Sequence, residues 1–256
     1  MHMAGWEIYI LFAGCVAIAT CIQNLTGFAF GLILLGLVSL LDLASVPDAA
    51  NASTVLTLVN AASYFRWHRL RPEWSIVRPA IVPSLLGVSV GVALLAWLSG
   101  NAAQALRGLL GLAILACAFG LLVESKPRST VSRRAAFAAV GAMSGLMGGL
   151  FSSAGPPLVY HMYRQPAPRE VIQQCLLLMF AINQVLRLAL VAGTGKFSLH
   201  SALLSAAAVP AVYFVTWLQH RYMPTLGIVT TRRVVSGLLI LAGGSLLISV
   251  LGAIRS

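Results

Sequence analysis

Apolar runs of 18 or more residues recur along this chain, and they leave it few folds to choose from. A helix needs about 20 apolar residues to cross the hydrocarbon core of a bilayer, so such runs define membrane spans. Ten apolar segments can be drawn: 5–25, 27–43, 48–66, 76–98, 102–123, 134–149, 154–164, 168–193, 198–219 and 231–252. Only 9% of the 256 residues are charged and 59% are hydrophobic, whereas soluble domains carry about 25% charged residues. The chain is read as an all-α polytopic membrane protein. The formal charge of +11 does not point to nucleic acid. Its Lys and Arg sit mainly in short loops, where they orient membrane proteins, and no basic stripe is interleaved with exposed aromatics. Cys15, Cys21, Cys117 and Cys175 lie inside apolar runs without CxxC or metal-type spacing, so they read as small buried hydrophobes. The first apolar run lacks the basic lead and small-x-small site of a cleavable signal peptide.

Six segments have the length of full spans: 48–66, 76–98, 102–123, 168–193, 198–219 and 231–252. The other four form two pairs, each split by a glycine-rich break. The first break is Thr26-Gly27-Phe28-Ala29-Phe30-Gly31; the second lies within LMGGLFSSAGPPLVYH, residues 146–161. The two halves repeat. A shift of 123 residues places Phe28 on Phe151, Asn51 on Gln174, Asn60 on Asn183 and Ser75 on Ser198. A shift of 126 lays RGLLGLAIL (107–115) on RVVSGLLIL (233–241).

Loop charge sets the sidedness. Arg66, Arg69, Arg71 and Arg78 place loop 66–78 inside. Lys126, Arg128, Arg133 and Arg134 do the same for 124–134, as do Arg164 with Arg169 and Arg221 with Arg232 and Arg233. Loop 99–106, the turn bearing Asp42 and Asp48, and loop 193–200 are poor in basic residues and read as outside. These signs agree only if each broken pair leaves and returns on one side. Each half is then a broken-helix hairpin followed by three spans, the second half is inverted relative to the first, and both termini lie outside. The expected units are 5–123 and 133–252, joined by a cytoplasmic linker at 124–132.

Unpaired backbone amides are costly in hydrocarbon, so a break must be buried in protein or line a wet cavity. Two breaks in inverted halves would meet near the midplane, where short helix N-termini suit an anion. Ser152 and Ser153 would add hydroxyl donors, and Pro156 and Pro157 suit a first helical turn. A tight packing turn with close helix contact is the alternative. Polar residues gather on the helices that follow. Ser53, Thr57, Asn60 and Tyr64 share one face of 48–66; Gln173, Asn183 and Arg187 share a face of 168–193, with Gln174 and Gln184 beside it. Arg187 is the one cation well inside an apolar run. It would either anchor a carboxylate or sulfonate or snorkel to the outer interface. His161 and Tyr160 follow the second break. His161 would titrate near neutral pH or sit idle at the interface. None of Glu7, Asp42, Asp48, Glu73, Glu124 or Glu170 lies mid-span, which argues against a carboxylate proton relay and against cation binding.

The halved layout, the glycine-rich break opening each half, the polar-then-apolar helix after it and the R-x-x-x-G-L close of each half resemble the TauE/SafE family of sulfite and organosulfonate exporters. The resemblance covers most of the chain, 10–250. It implies an inner-membrane carrier, bacterial in type, for a small sulfur-containing or organic anion, working by alternating access around a midplane site. The expected substrate-binding residues are Gly27, Phe28, Asn51, Thr57, Asn60, Ser152, Ser153, Gly155, Gln174, Asn183 and Arg187. No cofactor, metal ion or catalytic residue is expected. The expected partners are the small anion and the lipid bilayer, with a proton or counter-ion as candidate coupling species. The oligomeric state is not read from the sequence. A passive anion channel is the alternative function. No HExxH or GxSxG is present to support an enzyme.

Overall fold

The computed structural model describes residues 5–67, 71–122, 128–153, 156–222, 236–237 and 239–248. These residues form α1 (Gly5–Thr26), α2 (Phe30–Leu40), α3 (Val46–Trp67), α4 (Trp74–Asn101), α5 (Ala103–Leu122), α6 (Arg134–Phe151), α7 (Pro156–Tyr163), α8 (Arg169–Gly193) and α9 (Leu199–Tyr222). A short apolar helix, α10 (Leu239–Ile248), follows. No strand occurs among the described residues. The expected segment 231–252 lies partly outside them.

The broken pairs have unequal arms, which corrects the expectation that neither arm is a full span. At 1.5 Å per residue, α1 is about 33 Å long and α6 about 27 Å, whereas α2 is about 16 Å and α7 about 12 Å. By length and apolarity α1, α4, α6, α8 and α9 could each cross a bilayer. The long arm of each pair runs on because no breaker interrupts it before the glycine-rich turn. α3 is as long as α1 but more polar. Asn51, Ser53, Thr54, Thr57, Asn60 and Ser63 on it are all buried, so that polarity faces protein. Outward faces are apolar: Val82, Leu86, Val90 and Trp97 of α4 are each more than half exposed. Such a stripe, spaced 4, 4 and 7, is what lipid requires.

α6 lies against α4 at backbone contact. A Cβ on Gly145 would stand 1.9 Å from Ser84 O, one on Gly149 2.4 Å from Val88 O, and one on Gly141 2.7 Å from Ala80 O. From the other side, a Cβ on Gly87 would stand 2.3 Å from Ala142 O and one on Gly91 2.3 Å from Leu146 O. Glycines four apart on both helices therefore form one seam, the small-residue interface by which helices associate without a hydrophobic drive. α9 lies beside α1 and α3, and α8 between α3 and α4.

The loops gather at two ends. At one end Asp48 accepts from Ser198 Oγ at 2.5 Å and Ser201 Oγ at 2.9 Å, and Arg107 lies 3.8 Å from Asp42. At the other, Trp67 stacks on His220 at 5.0 Å. There too the Arg128 N–H donates to Arg164 O at 2.8 Å, and Gln165 bonds both Ser132 N and Ser132 Oγ at 3.0 Å. The chain thus enters α6 and leaves α7 at neighbouring points.

Candidate functional site

Both breaks turn through a left-handed residue at the same repeat position. Gly27 has φ +81° and Ala29 φ +75° after α1; Ser152 has φ +53° after α6. Ala29 and Ser152 are related by the 123-residue shift. A side chain in this region costs about 1–2 kcal/mol, so surrounding contacts must hold it. They do so through the last carbonyls of each long arm, which a helix leaves unpaired. Gln173 Nε2 donates to Leu25 O at 2.9 Å and Tyr163 OH to Thr26 O at 2.6 Å. Gln184 Nε2 donates to Ser152 O at 2.7 Å and Arg187 Nε to Gly149 O at 3.0 Å. The two breaks also touch. A Cβ on Gly31, in the first turn of α2, would come within 2.6 Å of Ser152 O and 2.8 Å of Ser153 Cβ.

Arg187 is the centre of this region and is fully buried. The alternative in which it snorkels to the interface is therefore excluded by its position. Its Nη1 donates to Ala50 O at 3.1 Å, Asn51 Oδ1 at 3.2 Å and Thr54 Oγ1. With Nε on Gly149 O, one guanidinium ties α3, α8 and the end of α6 together. A cation suits that end, where the helix dipole is negative. Arg187 Nη2 has no hydrogen-bond partner among the described residues. Nor is a carboxylate paired with Arg187; the described ion pair is Arg107 with Asp42. The charge is held by neutral dipoles, with one N–H₂ group left over.

The hydroxyls beside it are ordered by that arrangement. Thr54 Oγ1 donates to Ala50 O at 2.9 Å. The Ser152 hydroxyl lies 3.1 Å from Thr54 Oγ1, and either hydroxyl can be the donor. Ser153 is buried against Gly31. Thr57 and Ser53 are buried on the same face of α3, and their hydroxyls lack partners among the described residues. Asn183 Oδ1 accepts from Ser84 Oγ at 3.0 Å, and its Nδ2 has no partner among the described residues.

Other expected residues are placed elsewhere. Gln174 accepts from the Arg71 N–H at 2.8 Å, at the loop end of the bundle. Its repeat mate Asn51 donates to Lys196 O at 3.1 Å while its oxygen meets Arg187. Each amide thus grips the loop of the opposite half, and only Asn51 also touches the guanidinium. Asn60 sits in a separate network, donating to Gln23 Oε1 at 2.8 Å and Asn24 Oδ1 at 3.0 Å and accepting from Thr216 Oγ1 at 2.8 Å. Both of its N–H donors and one oxygen lone pair are spent on helix contact. Gly27 packs 3.2 Å from Gln173 Cα when given a Cβ, and Phe28 is buried at the first break. Gly155 lies outside the described residues. His161 stands edge-on to Phe137 at 4.7 Å, away from the guanidinium's contacts.

Thr54 was not among the expected residues although it lies between Ser53 and Thr57, one turn from Ala50. Gln184 was placed beside the polar face rather than in the site, yet it is three residues from Arg187 and shares its side of α8. That i, i+3 spacing was the available signal. Ser84 carries none: a lone serine in an apolar helix is unremarkable.

Lipid-length helices, apolar flanks and a polar, cationic interior at two touching breaks define a multi-pass membrane protein. The family model described as sulfite exporter TauE/SafE matches residues 11–246. A protein of Cupriavidus necator described as a probable sulfite/organosulfonate exporter TauE is 35% identical over 234 residues, 91% of each chain. No solved structure matches. The chain belongs to the TauE/SafE family.

Proposed function

We propose that this chain exports a small sulfur-containing or organic anion, such as sulfite or an organosulfonate, across a bacterial-type inner membrane, with Arg187 as the charge anchor of a seat between the two breaks. The observation that carries the reading is the buried guanidinium whose Nη2 has no partner among the described residues. Intramembrane cations mark substrate pathways because their burial is expensive. The relative's description as a probable sulfite/organosulfonate exporter supports this substrate class.

The halves are 5–123 and 133–252, inverted relative to one another, with 124–132 and the other basic loops cytoplasmic and both termini outside. Three features support this. Loops of like charge meet at the same end, α6 and α7 begin and end side by side, and Asn51 and Gln174 make exchanged contacts with the opposite half. Transport proceeds by alternating access, one part of the scaffold rocking around the seat. A passive channel is the weaker reading, since the described residues around the seat, Arg187, Gln184, Thr54, Ser152 and Ser153, are all buried. In proteoliposomes, wild-type protein should take up labelled sulfite saturably, and Arg187→Ala should abolish that uptake while inserting normally. Wild-type affinity in Arg187→Ala would remove Arg187 from the seat, and uptake at channel rates without counter-transport would replace the carrier.

A further inference from the structure

Resting on the seat proposed above, we infer that it selects a monoanion carrying its own hydrogen-bond donor, with Arg187 taking the charge and Gln184 accepting the donor. Two independent features lead there. The first is charge. Arg187 is fully buried and its contacts are to carbonyl, amide and hydroxyl groups, all neutral. None of the six acidic residues lies mid-span. One monoanion makes this region electroneutral. A dianion would leave a net buried negative charge, and uncompensated buried charge is strongly disfavoured.

The second is the polarity of the free groups. Gln184 Nε2 faces Ser152 O at 2.7 Å. A carbonyl only accepts, so it fixes which end of the amide points at it and turns Oε1 the other way. Gln184 Oε1 is buried and unpartnered among the described residues. Gln184 and Arg187 are i and i+3 on α8, so both leave the same face, and both reach the end of α6. A ligand here meets one cationic donor, Arg187 Nη2, and beside it one acceptor, Gln184 Oε1. A bare sulfonate satisfies the first and leaves Gln184 unpaired. A protonated anion such as hydrogensulfite, or a sulfonate bearing a hydroxyl, satisfies both. Sites built to bond a polar group reject the analogue lacking it far more strongly than apolar pockets reject a missing methylene.

Three sulfonates on the same two-carbon frame separate the terms: ethanesulfonate (monoanion, no donor), isethionate (monoanion with a hydroxyl) and sulfoacetate (dianion). Binding to the purified full-length chain is measured by thermal shift and calorimetry at neutral pH. Isethionate should bind on the order of tenfold more tightly than ethanesulfonate, the cost of one unpaired buried acceptor. Sulfoacetate should bind no more tightly than ethanesulfonate. In Gln184→Met the isethionate-to-ethanesulfonate ratio should fall to within about twofold. Equal affinity for isethionate and ethanesulfonate in the wild type, or sulfoacetate binding tightest, overturns this inference while leaving the seat intact. Binding of none of the three, or binding unchanged in Arg187→Met, removes the seat and this inference with it. The wild-type comparison does not depend on either variant folding.

Discussion

Gly145 and Gly148 are three residues apart on α6, and they should respond oppositely to the same substitution. A Cβ on Gly148 meets only Val88 Cγ2 at 3.8 Å, an ordinary contact. There Gly148→Ala removes backbone freedom from the unfolded chain and should stabilise by about 0.5–1 kcal/mol. A Cβ on Gly145 would stand 1.9 Å from Ser84 O and 2.7 Å from Ser84 C, both backbone. No rotamer change relieves that overlap. Helix α6 must move away from α4 by more than an ångström, opening the seam at Gly87, Gly91, Gly141 and Gly149 as well. Overpacking of this kind costs about 1–3 kcal/mol and often more. The propensity gain is common to both, so the two variants should differ by about 1–3 kcal/mol, the overpacking cost. At about 2–4 °C per kcal/mol for a chain of this size, their apparent melting temperatures in detergent should lie about 2–12 °C apart. The assay is fluorescence-detected thermal unfolding of both variants beside the wild type. Gly145→Ala should also lower transport more than it lowers abundance, because Gly149 O holds Arg187 Nε. Equal melting of the two variants would refute the backbone-contact seam.

Three further outcomes are expected. Arg187→Lys keeps the charge, but a single ammonium cannot reach Gly149 O and the α3 acceptors together. It should lose most transport and melt below wild type, and full transport would show that only charge is needed. Tyr163→Phe leaves Thr26 O without its donor and should destabilise by about 1–3 kcal/mol, read as a lowered melting temperature; an unchanged value would mean water replaces the phenol. In a cysteine-free background, Leu41→Cys should react with impermeant thiol reagent from outside and Val131→Cys only after access from the inside. Labelling from one side for both would sink the proposed sidedness.

The positions of the breaks and helices were legible because glycine, proline and apolar run length act locally. The pairing of Phe28 with Phe151 was legible for the same reason, as was the isolation of Arg187 in an apolar run. What could not be read was which partner each polar group finds. Asn60 and Asn183 are repeat mates, yet Asn60 is consumed by Gln23, Asn24 and Thr216 from α1 and α9 while Asn183 meets Ser84 of α4. Gln174 and Asn51 share a register but end at opposite ends of the bundle. The partner of the Ser152 hydroxyl is likewise a residue of another helix, Thr54 on α3, 98 positions away. Such choices are tertiary. They follow from helix contacts that the glycine seam sets, and a single helix face does not contain them.

The two breaks are not equally self-sufficient, and this bears on how the chain is made. The second break draws its caps from its own half: Gln184 covers Ser152 O and Arg187 covers Gly149 O. The first break borrows them. Leu25 O is covered by Gln173 and Thr26 O by Tyr163, both synthesised more than a hundred residues later. Chains emerge N-terminal part first, at about 5–20 residues per second. For several seconds, then, the newborn first half must hold two bare carbonyls in or near lipid. It either waits in the shelter of the insertion machinery or stays loosely assembled until α7 and α8 arrive to close it.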